Sequence, residues 1–169
     1  MTTPDRTLLK GIVSPRVLEA MQRASEVMAA LGVRHTVVGG LAVGANGYPR
    51  TTVDVDFLVG EEAFEHHAAG VVTLRVPVEV NGVAVDCLSI APDELFLVKA
   101  VGVTPGSFAP APVVVYLKLK SPRAKDRADI IELIKAGIDL NACRRYLVAN
   151  APRFVVSFDD AVRAARAEE

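Results

Sequence analysis

Two aspartates one residue apart, Asp54 and Asp56, interrupt the otherwise apolar run TTVDVDFLV. On an extended chain alternate residues face the same way, so the two side chains leave one face about 6–7 Å apart at their roots. Neighbouring carboxylates in a half-buried place repel each other and lose hydration. They require a cation, a shared proton or opposite charges close by. A further aspartate, Asp86, stands inside the apolar segment VAVDCLSI, and the glycine pair Gly39-Gly40 follows a short β-branched run. The one dense basic stretch runs through Lys118, Lys120, Arg123, Lys125 and Arg127. By itself such a run reads as a solvated helix start or as a receiver of anions.

The elements that must position these groups follow from patterning. Ser14-Pro15 is an N-cap followed by proline at the first helical position, and Val17, Leu18, Met21, Ala24, Val27, Met28 and Leu31 keep helical spacing up to Gly32. Residues 34–38 read as a strand, and LAVGANGY as a short helix after the glycines. Residues 54–59 form a second strand, and EEAFEHHAAG reads as a short surface helix carrying His66 and His67 on a solvated face. Two extended segments, 71–80 and 83–90, flank Asn81-Gly82, a strong hairpin signal that places Asp86 on the second arm. Residues 92–100 could start a helix, and VGVTPGSFAPAP reads as a loop. A helix is expected over 123–136, with Ile130, Ile131, Leu133 and Ile134 on its buried side and Gly137 ending it. Two more follow, at 140–149 and, after an N-cap at Ser157, from Phe158 onward. No internal repeat is visible.

The chain has 169 residues, 51% of them hydrophobic, and a formal net charge of −1. That is enough to bury a core as one domain, expected over 1–169, and it argues against a strongly basic nucleic-acid binder. Cys87 and Cys143 are too few for a disulfide framework and read as buried small hydrophobes; His35 reads as structural. The first residues resemble no secretory signal and the apolar runs are too short to span a membrane, so the expectation is a cytoplasmic protein without a membrane partner.

The stretch GGLAVGANGYPRTTVDVDFLV resembles motif I of the nucleotidyltransferases of the DNA polymerase β superfamily: a Gly-Gly or Gly-Ser pair, a short helix, then Asp-x-Asp on the next strand. Gly39, Gly40, Asp54 and Asp56 occupy those places, and Asp86 matches the third carboxylate of the family. YLKLKSPRAKDRADIIELI is similar to the Lys-Asp-x-x-Asp region of small bacterial AbiEii-like, toxin-type members, with Lys118, Arg123, Lys125, Asp126 and Asp129 on matching positions and Arg50 in YPRTTVDVD also following that branch. The motif core covers about residues 33–136, with helices over 139–169 beyond it.

The resemblance implies an α/β (α+β) fold, a mixed twisted sheet flanked by helices. It implies transfer of a nucleoside monophosphate from an NTP to an acceptor hydroxyl, with two Mg²⁺ or Mn²⁺ ions held by Asp54, Asp56 and Asp86. Asp86 would also be a general base, and Lys118 would meet the phosphates or help the leaving pyrophosphate. Gly39 and Gly40 would let the backbone approach the triphosphate, with no hydroxyl at Gly40 where many relatives carry serine. Arg50 would touch phosphate or pair with carboxylates. Lys125, Asp126 and Asp129 would be nucleotide-binding, or would serve as helix-start charges. The acceptor stays open between tRNA, a protein and a small molecule, the toxin branch suggests an antitoxin partner, and oligomeric state is not legible. Two competing expectations are a catalytically degenerate binding module of the same fold and a metal-dependent phosphodiesterase.

Overall fold

The computed structural model describes residues 3–169. Its first α-helix, α1 (Pro15–Ala30), is capped by the Ser14 hydroxyl, which accepts from the Val17 amide. Val17, Ala20, Met21, Ala24 and Met28 form its buried stripe, and Gly32, at φ +70°, lets the chain turn away. Strand β1 (His35–Val38) follows, then α2 (Gly39–Ala45), β2 (Val55–Val59), β3 (Phe64–His66), β4 (Val72–Leu74), β5 (Glu79–Val80) and β6 (Val83–Ser89). Among the described residues four α-helices follow: α3 (Ala111–Lys120), α4 (Ala124–Lys135), α5 (Leu140–Asn150) and α6 (Val155–Ala167).

The main sheet has the order β1-β2-β6-β5. β2 runs antiparallel to β1 and parallel to β6, while β5 and β6 form an antiparallel hairpin. This is a mixed sheet in an α+β architecture. Alternation along β2 sends Val55, Phe57 and Val59 into an apolar cluster with α1, together with Val37, Val83 and Val85. Leu58 faces the other way, into a second cluster with Val114, Tyr116, Leu133, Leu147 and Phe158 of α3–α6. Asp56 shares that second face. The side of the sheet that carries the aspartate is therefore the side covered by α3 and α4.

Several expectations are corrected. EEAFEHHAAG is not a helix: a 3-10 turn at Glu61–Ala63 leads into β3, which pairs with β4 from Phe64↔Leu74 to His66↔Val72. The stretch lacks a helical apolar stripe, and Glu62 is drawn back to the Arg34 amide and guanidinium, which holds the turn. His66 and His67 are solvated, but on and beside a strand. The extended segment before the hairpin is split, because Pro77 breaks it between β4 and β5; only Glu79 and Val80 pair across Asn81-Gly82, both turn residues lying at positive φ as the tight turn requires. Residues 92–100 form a 3-10 helix, and α3 is a helix where composition shows only an apolar and then basic run. α6 begins at Val155, so Ser157 lies in its first turn rather than at its cap. Cys143 is buried, but Cys87 is only half-buried. Burial pushes the Cys143 thiol up to about 12; burial first, then Asp86 and Asp56, push Cys87 up to about 11, so both stay thiols.

Candidate active site

The parallel register of β2 with β6 sets Asp56 directly beside Asp86, and the antiparallel register of β1 sets Val38 on the other side of Asp56. Asp54 lies in the bend just before β2 rather than on the strand, which begins at Val55. One carboxylate oxygen from each of Asp54, Asp56 and Asp86 comes within 4.8 Å of the other two. Asp54 and Asp56 are half-buried, while Asp86 is exposed. Burial first, then the charges of Asp54 and Asp86, raise the Asp56 carboxyl to about 6, with Lys118 and Arg123 pulling the other way. Three close carboxylates with one so raised are a set that a divalent cation would relieve. The group could hold a metal ion.

Gly39 is wedged against this cluster. It begins α2 at φ +64°, a left-handed conformation, and a β-carbon there would lie 2.1 Å from Asp56 Oδ2. The chain turns from β1 into α2 in the row that carries Asp56 and Asp86, so only glycine clears the carboxylate.

Across from the aspartates stands a wall of alternating charge contributed by the loop before β2, by α3 and by α4. Arg50 grips Asp129 with two hydrogen bonds, Nε to Oδ1 and Nη2 to Oδ2, each 2.9 Å. Lys118 Nζ lies 2.8 Å from Asp129 Oδ2 and 2.6 Å from Asp126 Oδ1. Asp126 Oδ2 also accepts from Arg123 Nε at 2.7 Å and from the Ser121 hydroxyl. Burial raises the Asp126 carboxyl, but the bonds from Lys118, Ser121 and Arg123 outweigh it and bring the group down to about 2; Asp129, raised likewise by burial, is lowered overall by Arg50 and Lys118. Both are nearly completely buried, with ion-pair partners that compensate their charge.

Between sheet and wall lies a cavity of about 570 Å³, within the usual range of small-molecule sites. Gly39, Gly40, Arg50, Asp54, Asp56, Asp86, Lys118, Arg123, Lys125 and Asp126 all line it; Asp129 stands behind Arg50 and Lys118. Every site residue named from the sequence is thus in the cavity wall or one ion pair behind it. Arg50 pairs with Asp129, not with the aspartate cluster. Lys118, which the sequence shows as the start of a basic stretch, is a helical residue spanned by two carboxylates. Lys125 lines the cavity, is exposed, and has no ion-pair partner among the described residues. Residues that the sequence reading misses are Thr52, which closes over Gly40, and Ser121, which binds Asp126. Ser121-Pro122 resembles a helix start and nothing more, because the partner of the serine is five residues away.

Elsewhere, among the described residues, no helix is long and apolar enough to cross a membrane. His35 is buried: Nδ1–H donates to the Val33 carbonyl at 2.8 Å, so Nε2 is left to accept from the Ser25 hydroxyl at 2.6 Å. It serves structure, joining β1 to α1.

No protein-family model and no curated protein matches the chain. Among solved structures, an antigenic nucleotidyltransferase-like protein from Paracoccidioides brasiliensis is similar over 88% of this chain and 94% of its own, with 13% sequence identity and a TM-score of 0.46. At that degree of likeness the chemistry has to stand on the residues of the site.

Proposed function

We propose that this chain is a metal-dependent nucleotidyltransferase that moves a nucleoside monophosphate from an NTP to an acceptor hydroxyl. The observation that carries the reading is the opposition, across one cavity, of a tight carboxylate trio and a cationic wall. Four carboxylates and four basic side chains line the cavity, so their formal charges cancel. Divalent cations seated at the trio would leave a surplus of positive charge, which suits a polyanion such as a triphosphate better than a neutral or singly charged ligand.

Asp54, Asp56 and Asp86 would hold the ions, Mg²⁺ or Mn²⁺, two in number. Bound there, such ions neutralise phosphate charge and ease ionisation of the attacking hydroxyl. The residues of the chain do the rest. Gly39 and Gly40 add no side chain of their own beside the trio, which leaves room for the Asp56 carboxylate over Gly39 and for Thr52 and the Arg50 guanidinium over Gly40. Lys125, free of a carboxylate partner among the described residues, and Arg123 and Arg50, each held from one side, face the triphosphate. Asp86, the most exposed of the trio, takes the proton of the acceptor hydroxyl. The acceptor oxygen then bonds to the α-phosphorus, the bond from that phosphorus to the bridging oxygen breaks, and pyrophosphate leaves with the electron pair. Lys118, bound between Asp126 and Asp129, orients the wall and contributes a positive field toward Asp56.

The acceptor belongs to tRNA, a protein or a small molecule, and the AbiEii-like pattern around Lys118 and Asp129 favours a toxin-type role with a paired antitoxin. The decisive experiment incubates the protein with each α-labelled NTP and Mn²⁺ against pools of tRNA, protein and small hydroxyl compounds, following pyrophosphate and labelled product. Transfer by the wild type that vanishes in Asp54→Asn/Asp56→Asn supports the reading. Release of free nucleoside monophosphate instead means hydrolysis. Metal-independent binding with no turnover in any pool means a binding module.

A further inference from the structure

We infer that Arg50 occupies the place over the glycine pair that a side chain at residue 40 would take, and that its free N–H groups grip the polyphosphate there, with Asp129 as its positioning residue. This rests on the nucleotidyltransferase reading and deepens it. A β-carbon built on Gly40 would lie 2.7 Å from Thr52 Oγ1 and 3.2 and 3.3 Å from Arg50 Nη1 and Nη2. The space above Gly40 is therefore already filled, and by the end of a guanidinium.

A guanidinium has five N–H donors. Asp129 takes Nε–H and one Nη2–H, and the Thr51 carbonyl takes one Nη1–H at 3.4 Å. Among the described residues one N–H on each η nitrogen has no partner, and these two nitrogens lie almost equally close to the Gly40 position. Arg50 and Gly40 both line the cavity, and a pair of N–H groups on one guanidinium is a fork that suits two phosphate oxygens. Asp129 fixes the opposite edge of the same plane, and Lys118 fixes Asp129 in turn at 2.8 Å. Arg50 thus supplies, from ten residues along the chain, the polar contact that Gly40 itself lacks.

The consequence is opposite to what residue 40 alone suggests. A serine there adds a hydroxyl, yet it must displace the Arg50 fork and Thr52. The test titrates wild type, Gly40→Ser, Arg50→Ala, Gly40→Ser/Arg50→Ala, Arg50→Lys and Asp129→Asn with α,β-methylene analogues of the four NTPs in Mn²⁺, by calorimetry. Mn²⁺ affinity without nucleotide and a thermal melt are recorded for each variant. Arg50→Ala and Gly40→Ser are each expected to weaken analogue binding by about tenfold or more. The double variant should lose no more than Arg50→Ala alone, because the two changes remove one contact. Arg50→Lys should recover only part, since one ammonium cannot reproduce a fork, and Asp129→Asn should weaken binding while Mn²⁺ affinity stays at the wild-type value. Unchanged or tighter binding by Gly40→Ser, losses that multiply in the double variant, or full recovery by lysine overturns the inference while the wider reading stands. If the wild type binds no analogue at all, both fall together.

Discussion

Substituting Gly39 by alanine separates two effects that the site combines. A left-handed backbone costs a non-glycine residue about 1–2 kcal/mol, and the lower entropy of the unfolded chain returns about 0.4–1 kcal/mol, so the net loss from φ alone is about 1 kcal/mol. Gly32, at φ +70° with nothing within 4 Å of where a β-carbon would stand, isolates that contribution, and Gly32→Ala should lose only this much. At Gly39 the φ is +64°, and the new carbon lies 2.1 Å from Asp56 Oδ2, so the carboxylate must retreat by about 1.3 Å to reach the near edge of ordinary contact at 3.4 Å. Mg²⁺ and Mn²⁺ accept little distortion at ligand distances near 2.1 Å, so a shift of that size should cost about tenfold or more in metal affinity, about 1.4 kcal/mol. Urea unfolding gives the first quantity and Mn²⁺ titration the second. Gly39→Ala is expected to lose both stability and metal affinity, Gly32→Ala stability alone. Equal Mn²⁺ affinity in the two variants would refute the claim that Gly39 exists to clear Asp56.

Other consequences follow from the charged groups. In the metal-free protein Asp56 binds its proton more tightly folded than unfolded, about 6 against 3.8, so stability should rise as pH falls from 6 toward 4, and Asp56→Asn should remove that rise and stabilise the metal-free protein at pH 7 by on the order of 1–2 kcal/mol, read from urea midpoints across pH. Asp126 shows the reverse sign: lowered to about 2, its contribution is present above the unfolded value of 3.8 and is lost as pH falls toward 2. Asp126→Asn should therefore flatten the acid limb of the stability curve and cost about 3 kcal/mol at neutral pH, because Lys118 and Arg123 lose a buried partner. His35, whose pKa burial lowers from 6.5 against the raising bond to Val33, should stay neutral where a free imidazole is protonated. The His35 contribution to stability should therefore fall as pH drops below 6.5, opposite in sign to that of Asp56 and read apart from it in Asp56→Asn, and an NMR titration of the ring that matched a free imidazole would contradict that placement.

Much of this molecule is legible in residue types and their spacing. Ser14-Pro15 and the run from Val17 to Met28 specify α1 because capping and amphipathic period act within a few residues. Asn81-Gly82 specifies its turn because few residues accept two consecutive positive φ angles. Asp54, Asp56 and the glycine pair stand out because they are polar or side-chain-free positions where patterning demands apolar ones. What local sequence does not decide is whatever depends on a distant partner. β3 is a strand only because β4 is there to pair with it, and Asp86 joins Asp56 only through the parallel register of strands far apart in sequence. Lys118 and Asp129 read locally as one lysine of a basic stretch and a helix-start acid, and the packing of α3 on α4 makes them one buried ion-pair chain reaching to Arg50. Residue types name the chemistry that is available, because they carry the charge and the backbone freedom. Which charges meet is decided by the fold, since electrostatic and packing energies depend on distance in space and not on distance along the chain.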